Sequence, residues 1–524
     1  MSEAPVDKNA VAKTVEIKIP LNEVVISLYE SQDKVYPRSV SGFFTSWRWV
    51  MIWLTQIFFY GMPWLNWGHR QALLFDLEAK RFYIFNLVLY PQDLIYLTAI
   101  LIISALSLFL FTAIAGRLWC GYTCPQTVYT EIFIWIERKI EGDRAARMKL
   151  DAAPMSSIKF FRKVAKQLVW ISFGLWTGFT FVGYFTPIKE LSSAVLSTNL
   201  GPWETFWICF YGFATYGNAG YMREQVCKYM CPYARFQSAM FDDDTLIVTY
   251  DEARGEPRGG RSRKAEVTTK TLGSCIDCSL CVQVCPTGID IRKGLQYECI
   301  GCGACADVCD TIMDKMGYER GLIKYSTQNA ITNNWSHKQM LQRILRPRVL
   351  IYAAVLVLLI VSLLASLWFR TPFRVNVVRD GVIARMTSDG MLENVYRLQI
   401  MNGTENTQHY QLTVSGLKDL EIETKSAKHK SHNNESKNKK HDKDSKDIKE
   451  SKEAKEAKHT KDNVDEEDEN QAIMVKPAES RWIIVDLKIP DGEAEPGSHK
   501  IQFEILALES KEIVKEMSVF LVPR

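Results

Sequence analysis

The sequence predicts a multidomain integral membrane protein with a bundle of five transmembrane helices, a small cysteine-rich cytoplasmic domain and a C-terminal β-sandwich. Five apolar segments of about twenty residues each have the length that a helix needs to cross a bilayer. Eight cysteines form two closely spaced runs between residues 275 and 309. Apolar residues then alternate with polar ones over much of residues 370–524, as they do in strands that are buried on one face.

Composition excludes some classes of function. The 524 residues include 64 Lys and Arg against 60 Asp and Glu, so the chain lacks the basic excess that indicates nucleic-acid binding. All 13 cysteines lie between Cys120 and Cys309, and residues 370–524, which are predicted below to be exported, have none. A disulfide-stabilised secreted domain would carry cysteines there, so we interpret the cysteines as reduced thiols that bind metal.

The predicted membrane domain covers residues 41–221 and follows a polar cytoplasmic segment over residues 1–40. The fourth span is the weakest because it contains Glu204 and several Gly and Tyr residues, and a buried or interfacial helix is the alternative there. The five spans are predicted at about 47–65, 94–116, 168–187, 202–221 and 349–369.

Basic residues predict the orientation. They are concentrated in the loop between the second and third spans, whereas the loop after the third span holds only Lys189. Because Lys and Arg keep short loops in the cytoplasm, the N-terminus and residues 222–348 are predicted to lie inside and residues 370–524 in the periplasm. Residues 66–93 are then predicted to lie in the periplasm, although they contain basic residues of their own. We therefore expect a multi-pass protein of the bacterial inner membrane.

One loop segment, Thr127–Ile140, has apolar residues at helical spacing and charges on the opposite face. It fits either a helix lying flat on the membrane surface or a short core helix.

The C-terminal region predicts an antiparallel β-sandwich of about a hundred residues, interrupted by a charged insertion. The insertion, residues 424–472, has almost no apolar residue, so it cannot bury a core and is predicted to be disordered. Strands are predicted at Val395–Ile400, Tyr410–Val414, Ile483–Ile489, Ile501–Ile505 and Ser518–Val522.

Two cysteine runs share the rhythm C-x2-C-x2-C-x3-C and predict a ferredoxin module over residues 266–315. This repeat is typical of bacterial ferredoxins with two [4Fe–4S] clusters, in which the fourth cysteine of each run binds the other run's cluster. Two zinc sites would also use eight cysteines, but they do not require this rhythm. Cluster one is therefore predicted to bind Cys275, Cys278, Cys281 and Cys309. Cluster two is predicted to bind Cys299, Cys302, Cys305 and Cys285. Such clusters transfer one electron at a time.

Four further cysteines form two matching pairs, Cys120 with Cys124 and Cys227 with Cys231, and a proline follows each pair. A spacing of four residues puts both thiols on one helix face, while the proline favours a helix end or a kink. Both pairs lie at predicted cytoplasmic span ends, so the four thiols would converge near the clusters. Soft thiolates select Cu(I), zinc or iron–sulfur clusters, which predicts a metal or redox site. Structural cysteines are the alternative.

The order of these features resembles the cytochrome c oxidase accessory proteins of the CcoG/FixG/RdxA family. Trp119–Gln126, Met222–Gln237 and Thr249–Gly259 carry the resemblance. It implies a cupric reductase that converts Cu(II) to Cu(I) for assembly of cbb3-type cytochrome c oxidase, and an immunoglobulin-like C-terminal domain. Copper would be a substrate or transient ligand, and the implied catalytic and copper-binding residues are Cys120, Cys124, Cys227 and Cys231. Which pair binds copper does not follow from the sequence.

The same resemblance implies partners in the membrane, namely oxidase assembly factors or copper chaperones. The electron donor is unidentified, and a homodimer is a further expectation. Two other functions fit the same residues. One is a quinol dehydrogenase that passes electrons through the clusters to a periplasmic reductase. The other is a non-redox metallochaperone that holds Cu(I) and passes it on.

Overall fold

The computed structural model describes residues 34–68, 70–261, 272–380, 384–387, 390–426, 472–490 and 492–523. The predicted N-terminal segment therefore lies outside the described residues except for its last seven, 34–40. The same holds for most of the charged insertion, whose residues 427–471 are not described.

The chain from Phe43 to Met240 is helical apart from five short strands between its first two helices. The helices are α1 (Phe43–Gly61), α2 (Leu94–Ala115), α3 (Leu118–Tyr122), α4 (Pro125–Glu141), α5 (Arg144–Ala152), α6 (Ser157–Val182), α7 (Ile188–Leu196), α8 (Pro202–Thr215), α9 (Arg223–Gln225) and α10 (Pro232–Met240). The π-helical segments Tyr216–Met222 and Val226–Met230 flank α9. The strands are β1 (Asn66–Trp67), β2 (Arg70–Gln71), β3 (Leu73–Asp76), β4 (Arg81–Ile84) and β5 (Leu87–Leu89).

Two helices in the described part of the chain are long and apolar enough to cross a membrane, Pro91–Ala115 and Pro347–Trp368. They coincide with the second and fifth predicted spans. Helices also occupy the other three predicted positions, but the five-helix bundle stays a prediction. At the fourth position, the 14 residues of α8 continue directly into the seven-residue π-helical segment Tyr216–Met222.

Two of these helices begin earlier than predicted because polar groups cap them. At α6, the Ser156 hydroxyl accepts a hydrogen bond from the Lys159 backbone N–H at 3.3 Å, so the helix begins 11 residues before the apolar run. At α1, the carboxylate of Asp307 accepts from the backbone N–H groups of Phe44 at 3.1 Å and Thr45 at 2.7 Å. Such caps satisfy the free N–H groups of a first turn. The α1 cap also joins the helical part to the cysteine-rich part.

The helix α4 covers the amphipathic segment and is a core helix. Phe133 and Ile136 are buried together with Trp170 of α6 and Ala219 of the first π-helical segment. The Trp170 indole donates to the Phe133 carbonyl at 3.2 Å. Of the two alternatives for Thr127–Ile140, the structure therefore favours the packed helix over the surface helix.

The cysteine-rich part is built around one two-stranded antiparallel ladder, β6 (Ile247–Tyr250) paired with β7 (Ile323–Ser326). Short helices connect these strands and lead to the apolar helix before the sandwich. The short helices are α11 (Glu252–Gly255), α12 (Leu280–Gln283), α13 (Ala304–Met316), α14 (Gln328–Thr332) and α15 (His337–Gln342), and the apolar helix is α16 (Pro347–Trp368).

The C-terminal part is an antiparallel β-sandwich of two sheets. One sheet has the strand order β12-β14-β10-β8, with β9 also paired to β10, and the other has the order β13-β11-β15-β16. The strands are β8 (Phe373–Arg379), β9 (Arg385–Met386), β10 (Met391–Asn402), β11 (Gln408–Ser415), β12 (Glu421–Ser426), β13 (Ile473–Val475), β14 (Ser480–Pro490), β15 (Gly497–Ala507) and β16 (Ile513–Val522). Each predicted strand lies inside an observed one, and alternate apolar residues of both sheets form the core.

The predicted start of the charged insertion at residue 424 is wrong. Thr424 and Lys425 continue strand β12 and pair with Val485 and Ile484 of β14. The ammonium of Lys425 donates to the Asp486 carboxylate at 2.9 Å. The charged side chains of this strand therefore have partners on the neighbouring strand. In the sequence alone, where that neighbour is unknown, the same charged residues look like the start of a disordered tract.

The small sheet of β3, β4 and β5 packs against the sandwich. Leu74, Tyr83, Val88 and Tyr90 share a buried cluster with Met401 and Ala478. The Tyr90 hydroxyl donates to the Asn402 carbonyl at 2.8 Å. The fully buried Asp93 carboxylate binds Arg370 at 2.6 Å and Arg374 at 2.8 Å. The loop before α2 and the sandwich are therefore in direct contact.

Candidate iron–sulfur and thiol site

The first cysteine run is held by the segment that follows β6. The backbone N–H of Cys275 donates to the Gly255 carbonyl, and its own carbonyl accepts from Gly259, both at 3.3 Å. Asp277 and Ser279 adopt left-handed backbone angles, with φ of 53° and 57°. These turns let the chain wrap tightly around a small volume, as a cluster-binding loop must.

Two pockets are each lined by the four cysteines that are predicted to bind one cluster. The first, here called the cluster-one pocket, leaves about 380 Å³ of empty space and is lined by Cys275, Cys278, Cys281 and Cys309. The second, the cluster-two pocket, leaves about 360 Å³ and is lined by Cys285, Cys299, Cys302 and Cys305. Cys281 reaches both pockets, so the two sites share a wall.

The remaining walls of both pockets fit an iron–sulfur cluster. They are mostly apolar, with Val248 and Ile291 at the cluster-two pocket and Leu322 and Met313 at the cluster-one pocket. Low polarity, exclusion of water and hydrogen bonds to sulfur set the reduction potential of such a cluster. One such bond is present, because the Gly301 backbone N–H donates to the Cys299 sulfur at 3.4 Å.

Burial controls the protonation of these thiols. It raises the pKa of Cys299 and Cys309 to about 12 and that of Cys281 to about 11, and neighbouring thiols add to each increase. The metal-free thiols are therefore protonated at neutral pH. Because thiolates are the ligands, binding of iron must release protons.

Each of the two cysteine pairs spans a break in the helix. Cys120 lies in α3, whereas Cys124 has an extended backbone and precedes α4, which starts at Pro125. Cys227 lies in the second π-helical segment, and Cys231 likewise precedes the proline that starts α10. The prediction of one continuous helix face is therefore wrong for both pairs, since proline disfavours helical geometry at the residue before it. The helix end expected from the proline is what the structure has.

The four cysteines of these pairs, here called the paired thiols, lie within electrostatic range of one another. Burial, followed by Cys124, Cys120 and Cys231, raises the pKa of Cys227 to about 12. Burial, followed by Cys124, raises the pKa of Cys120 to about 11. In the described ranges, no three His, Cys, Asp or Glu side chains already stand close enough to hold a single metal ion.

Cys120 connects the paired thiols with the cluster-two pocket. It is buried in one apolar cluster with Cys302, Ile300 and Ala304. The next residue, Gly121, lies against the same loop, since a Cβ there would stand 2.9 Å from the carbonyl oxygens of Ile300 and Gly301. Only glycine allows this approach. The backbones of the two sites are therefore in direct contact.

Arg117 bridges the two sites by hydrogen bonds. Its Nε donates to Gln237 Oε1 at 2.7 Å, and the Cys120 thiol donates to the same oxygen at 3.5 Å. The guanidinium also donates to the carbonyls of Tyr297 and Cys299, the latter at 3.4 Å. In the sequence, Arg117 is one of the basic residues of the loop after the second predicted span, a pattern that indicates orientation alone. Its place immediately before the first cysteine pair was the available clue to this role.

A buried ion cluster fixes one cysteine pair relative to the other. Glu137 of α4 binds Arg223 of α9 at 2.9 Å, Arg147 at 3.0 Å and Lys166 at 3.4 Å, and its side chain is fully buried. Burial alone would raise the pKa of Glu137, but these three cations outweigh it and lower the pKa to about 2. The helix after Cys124 is thereby attached to the segment before Cys227.

Comparison with known proteins agrees with this arrangement. A family model described as a 4Fe-4S dicluster domain matches residues 222–328, and one described as a 4Fe-4S binding domain matches residues 97–142. A third, described as an IG-like fold at the C-terminus of FixG, matches residues 363–523. The match to residues 97–142 includes Cys120 and Cys124, so it associates that pair with iron–sulfur chemistry.

Relatives cover most of the chain. Nitrogen fixation protein FixG of Rhizobium meliloti is 38% identical over 422 residues, which is 74% of this chain and 80% of the relative. The chain belongs to the FixG family. Two further relatives in Cereibacter sphaeroides are Protein RdxB, 39% identical over 76% of this chain and 85% of the relative, and Protein RdxA, 37% identical over 74% and 84%. The predicted family is therefore confirmed, and this FixG-family chain is an iron–sulfur electron-transfer protein.

Proposed function

We propose that this FixG-family protein reduces Cu(II) to Cu(I) at the paired thiols, and that the product serves assembly of a cbb3-type cytochrome c oxidase. The observation that carries the proposal is the burial of Cys120 and Cys302 in one apolar cluster. A thiol that could hold copper therefore lies beside the loop that would hold the second iron–sulfur cluster.

The chemistry requires one electron and a set of soft ligands. A reduced [4Fe–4S] cluster supplies one electron, and Cu(II) becomes Cu(I). Thiolates bind Cu(I) more strongly than they bind Cu(II), so their coordination favours the product. The thiols of Cys120 and Cys227 are protonated at neutral pH because burial raises the pKa of each. Binding of copper there releases protons to solvent.

We propose the sidedness that the charge pattern predicts, with both metal sites in the cytoplasm and the sandwich in the periplasm. Two contacts support it, because each joins segments that the prediction puts on one side. Arg117 binds the Tyr297 carbonyl, and Tyr90 binds the Asn402 carbonyl. Residence in the bacterial inner membrane, homodimer formation and transfer of Cu(I) to a chaperone or assembly factor belong to the same proposal.

A single-turnover experiment tests the reductase. The protein is purified without oxygen, reduced with dithionite, freed of excess reductant and mixed with Cu(II). Electron paramagnetic resonance follows the clusters, and a colorimetric chelator follows Cu(I). The wild type should reoxidise its clusters in step with the appearance of Cu(I).

Three variants locate the site. The double variants Cys120→Ser/Cys124→Ser and Cys227→Ser/Cys231→Ser should keep the iron of both clusters and lose copper reduction. Cys209→Ser is the matched control, since Cys209 is an exposed residue of α8, and it should behave as the wild type. Clusters that stay reduced in the presence of copper would refute the proposal, and bleaching by added quinol would favour the quinol dehydrogenase. Loss of iron from either double variant would assign those thiols to an iron–sulfur cluster.

A further inference from the structure

An open polar cleft lies beside Cys227 and is here called the basic cleft. Its cavity volume is about 470 Å³. One wall comes from the segment around Cys227 and Arg235, and the other comes from the loop between the two cysteine runs, with Lys293 and Tyr297. The cleft therefore lies between the paired thiols and the ferredoxin part, and it is wide enough for a small molecule.

The lining of this cleft is more positive than negative. Arg117, Lys228, Arg235 and Lys293 contribute cationic side chains, against Asp290 and Glu298. A lining with a net positive charge raises the local concentration of anionic ligands.

The inner end of the cleft reaches both redox sites. Arg117 forms part of the lining, and it donates to the Cys299 carbonyl of the cluster-two loop at 3.4 Å. Through Gln237 it is also joined to the Cys120 thiol. Cys120 is itself buried, whereas Cys227 lines the cleft directly. A ligand in the cleft would therefore meet Cys227 first.

We infer that the basic cleft is the entry site for copper and that copper enters as an anionic complex, bound to a small carboxylate or thiolate chelator. This inference rests on the proposed copper reduction. Hydrated Cu²⁺ and cationic complexes are repelled by the lining, whereas an anionic chelate is attracted. The Cys227 sulfur replaces one chelator atom on the metal and loses its proton to solvent. One electron from a reduced iron–sulfur cluster then converts Cu(II) to Cu(I), and the chelator leaves.

Rates with two complexes of opposite charge test the inference. The reduced protein is mixed in a stopped-flow instrument with Cu(II) nitrilotriacetate, an anion, or with Cu(II) bis(ethylenediamine), a cation. Lys293→Glu should lower the second-order rate constant for the anion about tenfold at low salt and leave that for the cation unchanged or higher. Lys315→Glu is the matched control, because Lys315 is an exposed residue of α13 outside the cleft, and it should change neither rate constant.

A second measurement does not depend on copper reduction. Alkylation of Cys227 is followed by mass spectrometry with iodoacetate, an anion, and with iodoacetamide, which is neutral. The rate with iodoacetate divided by the rate with iodoacetamide should fall several-fold in Lys293→Glu and stay unchanged in Lys315→Glu.

The outcomes separate the two proposals. A wild type that reduces neither complex overturns the proposed reductase. A different result is that the protein reduces copper while Lys293→Glu and Lys315→Glu change the two rate ratios equally, the anionic to cationic ratio for the copper complexes and the anionic to neutral ratio for the alkylating agents. That result overturns the basic cleft as the entry site and leaves the reductase standing.

Discussion

Replacement of Glu137 by Gln should destabilise the helical part strongly. Glu137 is fully buried among Arg147, Lys166 and Arg223, and its pKa falls from the ordinary 4.5 to about 2. A carboxyl group perturbed to this extent contributes about 3 kcal/mol to the free energy of unfolding at neutral pH. Removal of the charge also leaves cations buried without their partner, for which about 3–5 kcal/mol is typical.

The assay is thermal unfolding in detergent, followed by tryptophan fluorescence. A loss of about 3 kcal/mol corresponds to a midpoint lowered by roughly 6–12 °C for a helical part of this size. Because folding lowers the pKa of Glu137, its contribution is complete above pH of about 4.5 and is lost as the pH falls towards 2. The difference between variant and wild type should therefore shrink in acid.

Glu190→Gln provides the control, since Glu190 is an exposed residue of α7. Its midpoint should equal that of the wild type. If Glu137→Gln unfolds at the same temperature as Glu190→Gln, the ion cluster does not hold the helices together and the reasoning is refuted.

Two further predictions concern the contact between the paired thiols and the cluster-two pocket. Gly121→Ala places a Cβ 2.9 Å from the Ile300 and Gly301 carbonyl oxygens, so it should cost about 1–3 kcal/mol and slow cluster reoxidation by copper. The control Gly260→Ala, whose Cβ meets no atom within 4 Å, should keep the wild-type stability and reoxidation rate. If the two variants reoxidise at equal rates, the contact at Gly121 is loose. Arg117→Gln should lower the reduction potential of the cluster at Cys299 by some tens of millivolts, because it removes a positive charge beside that loop. Redox titration followed by electron paramagnetic resonance measures it, with Arg117→Lys expected to retain most of the potential, and an unchanged potential in Arg117→Gln would contradict the bridging role.

The grouping of the eight cysteines followed from their spacing because that information is local. Three cysteines within seven residues can bind three corners of one cluster, and in ferredoxins with this rhythm the fourth cysteine of each run binds the other cluster. Each of the two pockets in the structure is lined by one of these sets of four cysteines. The alternating strands of the sandwich are equally local, since period-two burial depends only on neighbouring residues.

Contacts between distant segments could not be derived in this way. Asp307 caps α1 from more than 260 positions away, and Gln237 meets Arg117 from 120 positions away. Nothing in the spacing of these residues predicts their meeting. The expectation that the charges of Thr127–Ile140 lie opposite its apolar residues is wrong for Glu137, which is buried with Phe133 and Ile136. A buried carboxylate needs cationic or hydrogen-bonding partners, and those of Glu137 come from other segments.

The attachment of the sandwich through Asp93 bears on how another protein would be recognised. Arg370 lies two residues after α16, and Arg374 lies at the start of β8, so the carboxylate of Asp93 clamps the very stretch that would otherwise act as a hinge. The sandwich therefore faces its surroundings in one orientation relative to the helices. A binding protein does not lose affinity to the entropy of immobilising a swinging domain, because that entropy was already given up when the chain folded.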